Sequence, residues 1–246
     1  MKKDDLLQMH QFEEKYWWHV GRRYFLDKLF KNYLSNSLDC PIIVDFGCGM
    51  GGNYNFLSKY GKVIGIDNSK ISIDFCQKNK QNVKLIDGLN IPFQDNSVDL
   101  ITAFDSLEHI KNDEEIIEEY WRTLKENGKI FVTVPAYKFM WSDHDKVLGH
   151  YHRYTKRELK DKFESKGFKM LKASYYISFL FPLILAYRLY RIIFSRFLNQ
   201  KTSYIVLPKI LNSFFILIIK AESFFVNRFQ LPFGCSVVAI FEKNKK

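Results

Sequence analysis

The sequence predicts an α/β fold in which a largely parallel sheet is covered by helices on both faces. Short, continuously apolar segments indicate buried strands, and the amphipathic segments between them indicate helices. The 246 residues exceed the usual size of one domain but fit a single α/β domain with an added segment. An apolar fraction of 47% and a charged fraction of 26% are typical of globular proteins and exclude wholesale disorder.

Each element has its own signal along the chain. Residues 8–34 carry aromatic and aliphatic side chains at helical spacings, which predict one or two helices. Either Asn68 or Ser69 is expected to cap a later helix and Thr155 another, while Asn112 opens a helix that Asn127-Gly128 ends. The predicted strands are 41–46, 62–67, 83–86, 98–104, 129–134, 168–174 and 236–241.

The cysteines and the first residues of the chain indicate the cellular compartment in which we expect the protein. Cys40, Cys48, Cys76 and Cys235 form no CxxC pair and no ligand-like spacing with histidine. They predict a reducing compartment and argue against a disulfide scaffold or a structural zinc site. Acidic residues at positions 4 and 5 stand where a signal peptide would begin its apolar run, so we expect a cytoplasmic protein.

A glycine-rich turn, residues 45–52 (Asp-Phe-Gly-Cys-Gly-Met-Gly-Gly), joins the first strand to the helix that follows. It lies at the carboxyl edge of the predicted sheet, where open α/β sheets bind ligands. Gly47, Gly49 and Gly52 also satisfy GxGxxG, so the turn alone fits a nicotinamide or flavin cofactor too. Asp67, at the end of the second strand, would chelate ribose hydroxyls with any of these cofactors.

Three further features distinguish between the cofactors. Asp45 precedes the first glycine by two residues and offers a carboxylate to a positively charged cofactor. Asp87-Gly88 follows the third strand, where a carboxylate accepts from an adenine amino group. Phe104-Asp105 follows the fourth strand, where an apolar ring lies against the purine. Together they favour a cofactor that has both an adenosine and a positive charge.

Five motifs lie at successive elements: Asp45-x-Gly-Cys-Gly-x-Gly, Val63-Ile64-Gly65-Ile66-Asp67, Asp87-Gly88-x-x-x-Pro92-Phe93, Phe104-Asp105-x-x-Glu108-His109 and Gly128-Lys129-Ile130-Phe131-Val132. With them the sequence resembles the class I S-adenosylmethionine-dependent methyltransferases, in the ubiquinone and menaquinone methyltransferase-like branch (methyltransferase type 11). The resemblance covers about residues 40–175 and the last strand. It implies a Rossmann-like seven-stranded sheet with helices on both faces and an antiparallel final strand.

The same resemblance implies S-adenosylmethionine as the cofactor, lying over the glycine turn. It places Asp45 and Gly47 at the amino-acid end, Asp67 at the ribose, and Asp87 with Leu89 at the adenine. In the structural alternative, Asp67 caps the next helix and Asp87 serves a turn. The expected cofactor-binding residues are Asp45, Gly47, Cys48, Gly49, Gly51, Asp67, Asn68, Asp87, Gly88, Leu89, Phe104 and Asp105.

Methyl transfer from a sulfonium needs an aligned nucleophile, excluded water and, for some acceptors, a base. His109, Asp143, His144 and His150 are the catalytic candidates, because they follow the fourth and fifth strands at the cofactor edge. Asp143, His144 and His150, in the loop after the fifth strand, are explained equally well by hydrogen bonds that hold this loop to the core. The loop lacks the usual carboxylate pattern of metal-dependent O-methyltransferases, so we expect no metal.

Residues 175–231 separate the last two strands, where most members of this fold have a short hairpin. They are the most apolar part of the chain and carry seven bases and one acid, or +6 of the net charge of +10. The apolar runs are too short for a membrane span. Polar stripes are predicted on two helices: Arg188, Arg191 and Ser195 on the first, and Lys209, Asn212, Ser213, Lys220, Ser223 and Asn227 on the second, which begins at Pro208.

Basic helices with apolar faces suit the membrane interface and predict a peripheral contact with an anionic membrane through residues 177–228. A buried helical lid or dimer interface, and a tunnel for a long-chain substrate, are the alternatives. The bases lie among apolar residues, so we expect no nucleic-acid partner. The expected domains are an N-terminal helical cap (1–36), a methyltransferase core (37–174 and 232–246) and the helical insertion before the last strand (175–231).

These features predict an S-adenosylmethionine-dependent methyltransferase of a lipophilic or lipid-linked small molecule, such as a polyprenylated quinone precursor or a lipid-linked sugar. We expect it in the cytoplasm or at the inner face of the membrane. Two alternatives stay open. The glycine turn also fits an NAD-dependent oxidoreductase, and a non-catalytic cofactor-binding protein of the same fold would carry the same motifs.

Overall fold

Seven strands form one sheet: β1 (Ile42–Phe46), β2 (Lys62–Asp67), β3 (Val83–Leu85), β4 (Val98–Phe104), β5 (Leu124–Pro135), β6 (Phe168–Tyr176) and β7 (Ser236–Lys243). The computed structural model describes residues 13–34, 40–194 and 207–244. The strand order is β3-β2-β1-β4-β5-β7-β6, with β1 to β5 parallel and β7 antiparallel to both neighbours. The predicted α/β sheet with an antiparallel final strand is confirmed.

Helices cover both faces of this sheet: α1 (Trp17–Tyr33), α2 (Tyr54–Leu57), α3 (Lys70–Lys78), α4 (Asp113–Thr123), α5 (Asp143–Leu148), α6 (Lys156–Ser165), α7 (Phe181–Ile193) and α8 (Lys209–Arg228). On one face, α4 and α6 bury Ile116 and Phe163 against the strands. On the other face, α1 and α8 contribute Phe25 and Ile219 to a second buried cluster. Parallel strands are stable only when both faces are covered in this way.

Two of the predicted helix caps are formed. Ser69 Oγ accepts from Ser72 N at 3.3 Å, and Thr155 Oγ1 accepts from Glu158 N at 3.2 Å. Asn112 does not cap α4 through the backbone, because its Nδ2 donates to the Glu115 side chain at 2.5 Å instead. Two short hydroxyl side chains therefore set the starts of α3 and α6.

Helix α4 ends earlier than the sequence predicts. Its last residue precedes Leu124, where β5 begins, so Asn127-Gly128 lies inside the strand and does not end the helix. Lys243, a buried lysine at the end of β7, binds at this end of the helix. Its Nζ donates to the carbonyls of Trp121 at 2.6 Å and Leu124 at 2.8 Å, and to Asn96 Oδ1 at 2.8 Å. A cation from the far end of the chain thus binds one carbonyl in the last turn of α4, while Asn96 N and Ser97 N donate to its last two carbonyls.

Helices α1, α7 and α8 together form a cap, and α8 packs along α1. A Cβ added to Gly21 would lie 2.6 Å from Ile219 Cδ1, so the two helices approach closely at this glycine. Asn212 joins their ends, since its Oδ1 accepts from Trp17 N at 2.9 Å and its Nδ2 donates to Lys15 O at 3.0 Å. Helices α1 and α8 of the cap are therefore packed together on the sheet.

The predicted polar stripes do not simply face solvent. On α8, Asn212 bonds α1, and Glu222 and Ser223 are buried. Arg188 of α7 also turns inward, and Ser195 and the side chain of Asn227 lie outside the described residues. This arrangement leaves apolar side chains exposed on the cap: Leu183, Leu189, Tyr190, Ile193, Ile210, Phe214, Leu217, Phe224 and Phe225.

None of the helices in the described part of the chain has the length and apolarity that a membrane span requires.

We predict that Lys243→Met lowers the free energy of unfolding by about 2–3 kcal/mol, because three acceptors, among them the buried carbonyl of Leu124, lose a charged donor. Urea denaturation measures this change. The matched control is Lys160→Met on α6, whose partner Glu164 lies 3.8 Å away at the surface, and its effect should stay below about 0.5 kcal/mol. Equal effects of the two substitutions would contradict the role of Lys243.

Candidate active site

The glycine turn after β1 is bonded to the end of β2. Gly47 N and Cys48 N donate to Ile66 O at 2.9 and 3.1 Å, and Gly49 N donates to Asp67 Oδ2 at 2.9 Å. Gly47 has a φ of +69°, and an added Cβ would lie 2.6 Å from Ser106 Cβ. Only glycine therefore fits at this position, and the backbone stays open to close approach by a ligand.

Asp67 has a structural role at this turn. Besides Gly49, it binds the start of α3, because its Oδ1 accepts from Ser69 N at 2.8 Å. Its side chain also lines the adjoining cavity. Asp67 therefore binds the start of the next helix, as in the structural alternative, and is also accessible to a ligand in the cavity.

A cavity of about 1190 Å³ extends from the glycine turn to the cap. Of the residues expected to bind the cofactor, nine line it: Gly47, Cys48, Gly49, Asp67, Asn68, Gly88, Leu89, Phe104 and Asp105. Asp45, Gly51 and Asp87 are not among the described lining residues. The volume exceeds the usual 300–1,000 Å³ of a small-molecule site, so it has room for two ligands.

Asp45 lies beneath the turn, where its carboxylate is buried. Thr102 Oγ1 donates to Asp45 Oδ1 at 2.7 Å, and burial raises the pKa of Asp45 to about 7. Asp87 is exposed, although its neighbours Ile86 and Gly88 line the cavity. The expected contacts of these two carboxylates with a cofactor stay predictions.

Helix α1 closes the cavity beside the glycine turn. Arg22 is buried and forms an ion pair with Asp105, and its Nη2 donates to Asn53 Oδ1 at 3.4 Å. Arg23 Nη1 donates to Gly52 O at 3.5 Å. The carboxylate of Asp105 thus holds the cap on the sheet edge, a role that the sequence did not indicate.

The histidines after β4 and β5 meet at the opposite side of the cavity. His109, His144 and His150 all line it, and the rings of His109 and His150 have centroids 4.7 Å apart. Burial lowers the pKa of His144 to about 3 and that of His109 to about 4. Asp143 is not among the described lining residues, and its Oδ1 pairs with Lys146 at 3.3 Å.

Asp145, rather than Asp143, is the acidic residue that contacts one of these histidines. Its Oδ1 lies 2.9 Å from His150 Nδ1 and 2.7 Å from Arg153 Nε, and its Oδ2 accepts from Arg188 Nη1 at 3.3 Å. Burial by itself would raise the pKa of Asp145, but these partners hold it below its ordinary value. The pattern Ser142-x-x-Asp145 is its one local signal, because Asp145 Oδ2 also accepts from Ser142 N at 2.9 Å.

Comparisons with known proteins agree with this geometry. A family model described as a methyltransferase domain matches residues 44–132. Demethylmenaquinone methyltransferase of Lactobacillus johnsonii is 27% identical, over 44% of this chain and 52% of that protein. Chloroplastic tocopherol O-methyltransferase of Arabidopsis thaliana is 30% identical, over 37% of this chain and 29% of that protein. A SAM-dependent methyltransferase structure from Archaeoglobus fulgidus has a TM-score of 0.59 at 20% identity, covering 95% of this chain and 98% of that one.

Residues 44–132 thus carry a methyltransferase domain, and the sheet around them has the class I S-adenosylmethionine-dependent methyltransferase fold. The cofactor of this domain is S-adenosylmethionine, which decides between the cofactors that the glycine turn leaves open. The chain spans no more than about half the length of the two curated relatives, 52% and 29%.

The methyltransferase site fits its cofactor on the geometry of its own residues. The turn at Gly47 is a cradle that a Cβ would fill, and Asp67 stands beside it on the cavity wall. Leu89 and Phe104 offer apolar surface on the same wall for a purine ring. We expect Asp67 to hold the ribose and Leu89 to lie at the adenine, as the resemblance implies.

We predict that Asp67→Ala weakens the binding of S-adenosylhomocysteine by about 1.5–3 kcal/mol, the scale of hydrogen bonds to a charged group. Calorimetric titration measures the change. Asp67→Asn keeps one acceptor for the turn, so a similar loss in this variant assigns the effect to the charge. Asp74→Ala, in the exposed pair with Lys70 on α3, is the control. Unchanged affinity in Asp67→Ala would remove Asp67 from the site.

Proposed function

We propose that this methyltransferase transfers the methyl group of S-adenosylmethionine to a lipophilic or lipid-linked small molecule. The observation that carries the proposal is the continuity of the cavity. Its cofactor side, at Gly47 and Asp67, opens onto a wall that the cap supplies. The wall residues of α1, α7 and α8 are mainly apolar or aromatic: Trp17, Trp18, Leu183, Ile184, Tyr187, Leu211 and Phe215.

The names of the two curated relatives support this class of acceptor. Demethylmenaquinone and tocopherol, which those names specify, are both lipophilic. The insertion of this chain adds α7 and α8 to the wall of its cavity. We call the part that is lined by these helices and by His109, His144 and His150 the acceptor side. An apolar wall favours an apolar acceptor, since each buried apolar side chain contributes about 1.5–3 kcal/mol.

Bound S-adenosylmethionine supplies a methyl group on a positively charged sulfur. The chain's own residues align the acceptor and exclude water. The cap excludes water where Trp17 packs edge-on against Phe215, with ring centroids 5.4 Å apart. The acceptor atom that becomes methylated would lie toward His109 and His150, which line the same cavity.

The exposed face of the cap suits the surface of an anionic membrane. Phe214 and Leu217 of α8 are 54% and 62% exposed, and the exposed bases Lys209 and Arg228 lie at the two ends of the helix. Glu222, the one acid of residues 175–231, is buried, so it does not repel anionic headgroups. Apolar side chains flanked by bases bind such a surface by burial and by charge together.

Methyl transfer is tested with tritiated S-adenosylmethionine and an extract of membrane lipids. We expect label in the organic phase, and calorimetric binding of S-adenosylhomocysteine but not of NADH. Ile184→Glu places a charge in the apolar wall and should raise KM for the acceptor tenfold or more while leaving S-adenosylhomocysteine affinity unchanged.

The matched control for this assay is Leu189→Glu, an exposed position of the same helix, with the acceptor supplied in detergent micelles. Cofactor binding without turnover on any lipid fraction would favour a non-catalytic protein. Binding of NADH alone would overturn the proposal.

Membrane contact is tested by flotation with liposomes. The wild type should float with vesicles that contain phosphatidylglycerol and float less at high salt. Phe214→Ser combined with Leu217→Ser should reduce flotation at least tenfold. The matched control combines Leu85→Ser and Val147→Ser, two exposed apolar side chains outside the cap. Flotation of both double variants like the wild type would place the contact elsewhere.

Point substitutions are preferable to deletion of residues 177–228. Ile219 and Val226 of α8 belong to the buried cluster beneath α1, and Glu222 Oε2 accepts from Ser178 N at 2.7 Å and from Phe179 N at 2.9 Å. A deletion would therefore expose core residues and remove α8 from α1. Loss of flotation in that variant would not identify the membrane surface.

A further inference from the structure

Three side chains of the metal-ligand type meet on the acceptor side of the cavity. Glu108 and His109 lie in a 3-10 turn after β4, and His150 follows α5. One ligand atom of each side chain lies within 4.8 Å of the others, and all three side chains line the cavity. The cluster joins two distant segments of the chain, so sequence spacing did not reveal it.

Glu108 provides an independent indication of a ligand. Its side chain is 1% exposed, and its Oε2 has no hydrogen-bond partner among the described residues. Leaving a buried carboxylate oxygen without a partner is costly. Because Glu108 is on the cavity wall beside two imidazoles, a cation bound there would supply the missing partner.

His150 is oriented in the way that metal-bound histidines are. Its Nδ1 bonds Asp145 Oδ1 at 2.9 Å, and Asp145 is itself fixed by Arg153 and Ser142. An ionised carboxylate at this distance accepts the Nδ1 proton, so Nε2 carries the free lone pair. A second carboxylate that holds the other ring nitrogen is the usual outer partner of a histidine ligand.

We propose that Glu108, His109 and His150 hold a divalent cation, and that the cation binds a hydroxyl oxygen of the acceptor. Two imidazoles and one carboxylate with open positions suit Zn²⁺, Mn²⁺ or Fe²⁺. Ligand atoms around one such ion stand roughly 3 Å apart, so binding draws the three side chains together. His109 and His150 already face each other on the cavity wall, with ring centroids 4.7 Å apart.

This inference rests on the proposed methyl transfer and specifies its acceptor as a phenol or an enol. A bound cation lowers the pKa of a coordinated hydroxyl, so the acceptor oxygen loses its proton to water near neutral pH. The expectation of no metal was drawn from the loop after β5, whereas this proposal adds Glu108 and His109 from the turn after β4.

The test uses tag-free protein that has been treated with a chelator and then titrated with Co²⁺, followed by its visible absorption. We expect saturation at one Co²⁺ per chain. Glu108→Gln, His109→Gln and His150→Gln should each weaken Co²⁺ binding by more than the 10- to 100-fold that loss of an outer partner costs. His152→Gln is the matched control, since this histidine lies two residues from His150 but outside the cluster.

The folded state of each variant is checked by circular dichroism and by its binding of S-adenosylhomocysteine. The inference is overturned if the wild type binds no Co²⁺, or if the three variants bind it like the wild type. Cofactor binding without Co²⁺ binding contradicts this inference alone. Co²⁺ binding without cofactor binding supports the cation site and contradicts the proposed methyl transfer.

Discussion

The acceptor side of this protein depends on the buried carboxylate of Asp145. It is fully buried, and an isolated charge there would be prohibitively costly. Three cationic or polar partners offset that cost, and each comes from a different place: His150 from the cavity wall, Arg153 from the chain leading to α6, and Arg188 from α7. Arg153 also donates to Ala136 O at 2.8 Å, just after β5. One carboxylate thus connects the sheet, the cavity and the cap.

In the cap, helix α8 shows that an amphipathic helix can bury polar side chains against the protein and leave apolar ones exposed. Amphipathicity alone predicts the polar stripe of α8 toward solvent. The structure instead satisfies Asn212 and Glu222 with backbone groups of the protein, because buried polar groups are stable once hydrogen-bonded. The apolar side chains on the other side of α8 then stay uncovered, and patches of this kind mark interaction surfaces.

Local patterns predicted most of the fold, and long-range pairs account for what they missed. The glycine turn and the cap at Ser69 are built from residues a few positions apart, so their spacing was sufficient to predict them. The bond from Gly49 N to Asp67, 18 positions away, was not predicted. Asp143 and Asp145 are chemically identical two residues apart, and only the side of α5 that meets Arg153 distinguishes them. Lys243 binds the last turn of α4 from more than a hundred positions away, which no local signal at Asn127-Gly128 could show.

Helix α1 contributes to the enclosure of both halves of the cavity. Arg22 of α1 pairs with Asp105 on the cofactor side, while Trp17 of α1 is bonded to Asn212 and packs against Phe215 of α8 on the acceptor side. The close packing of Gly21 on Ile219 leaves little freedom for α1 to slide along α8. One pair of packed helices thus bounds the cavity both at the glycine turn and at the apolar wall.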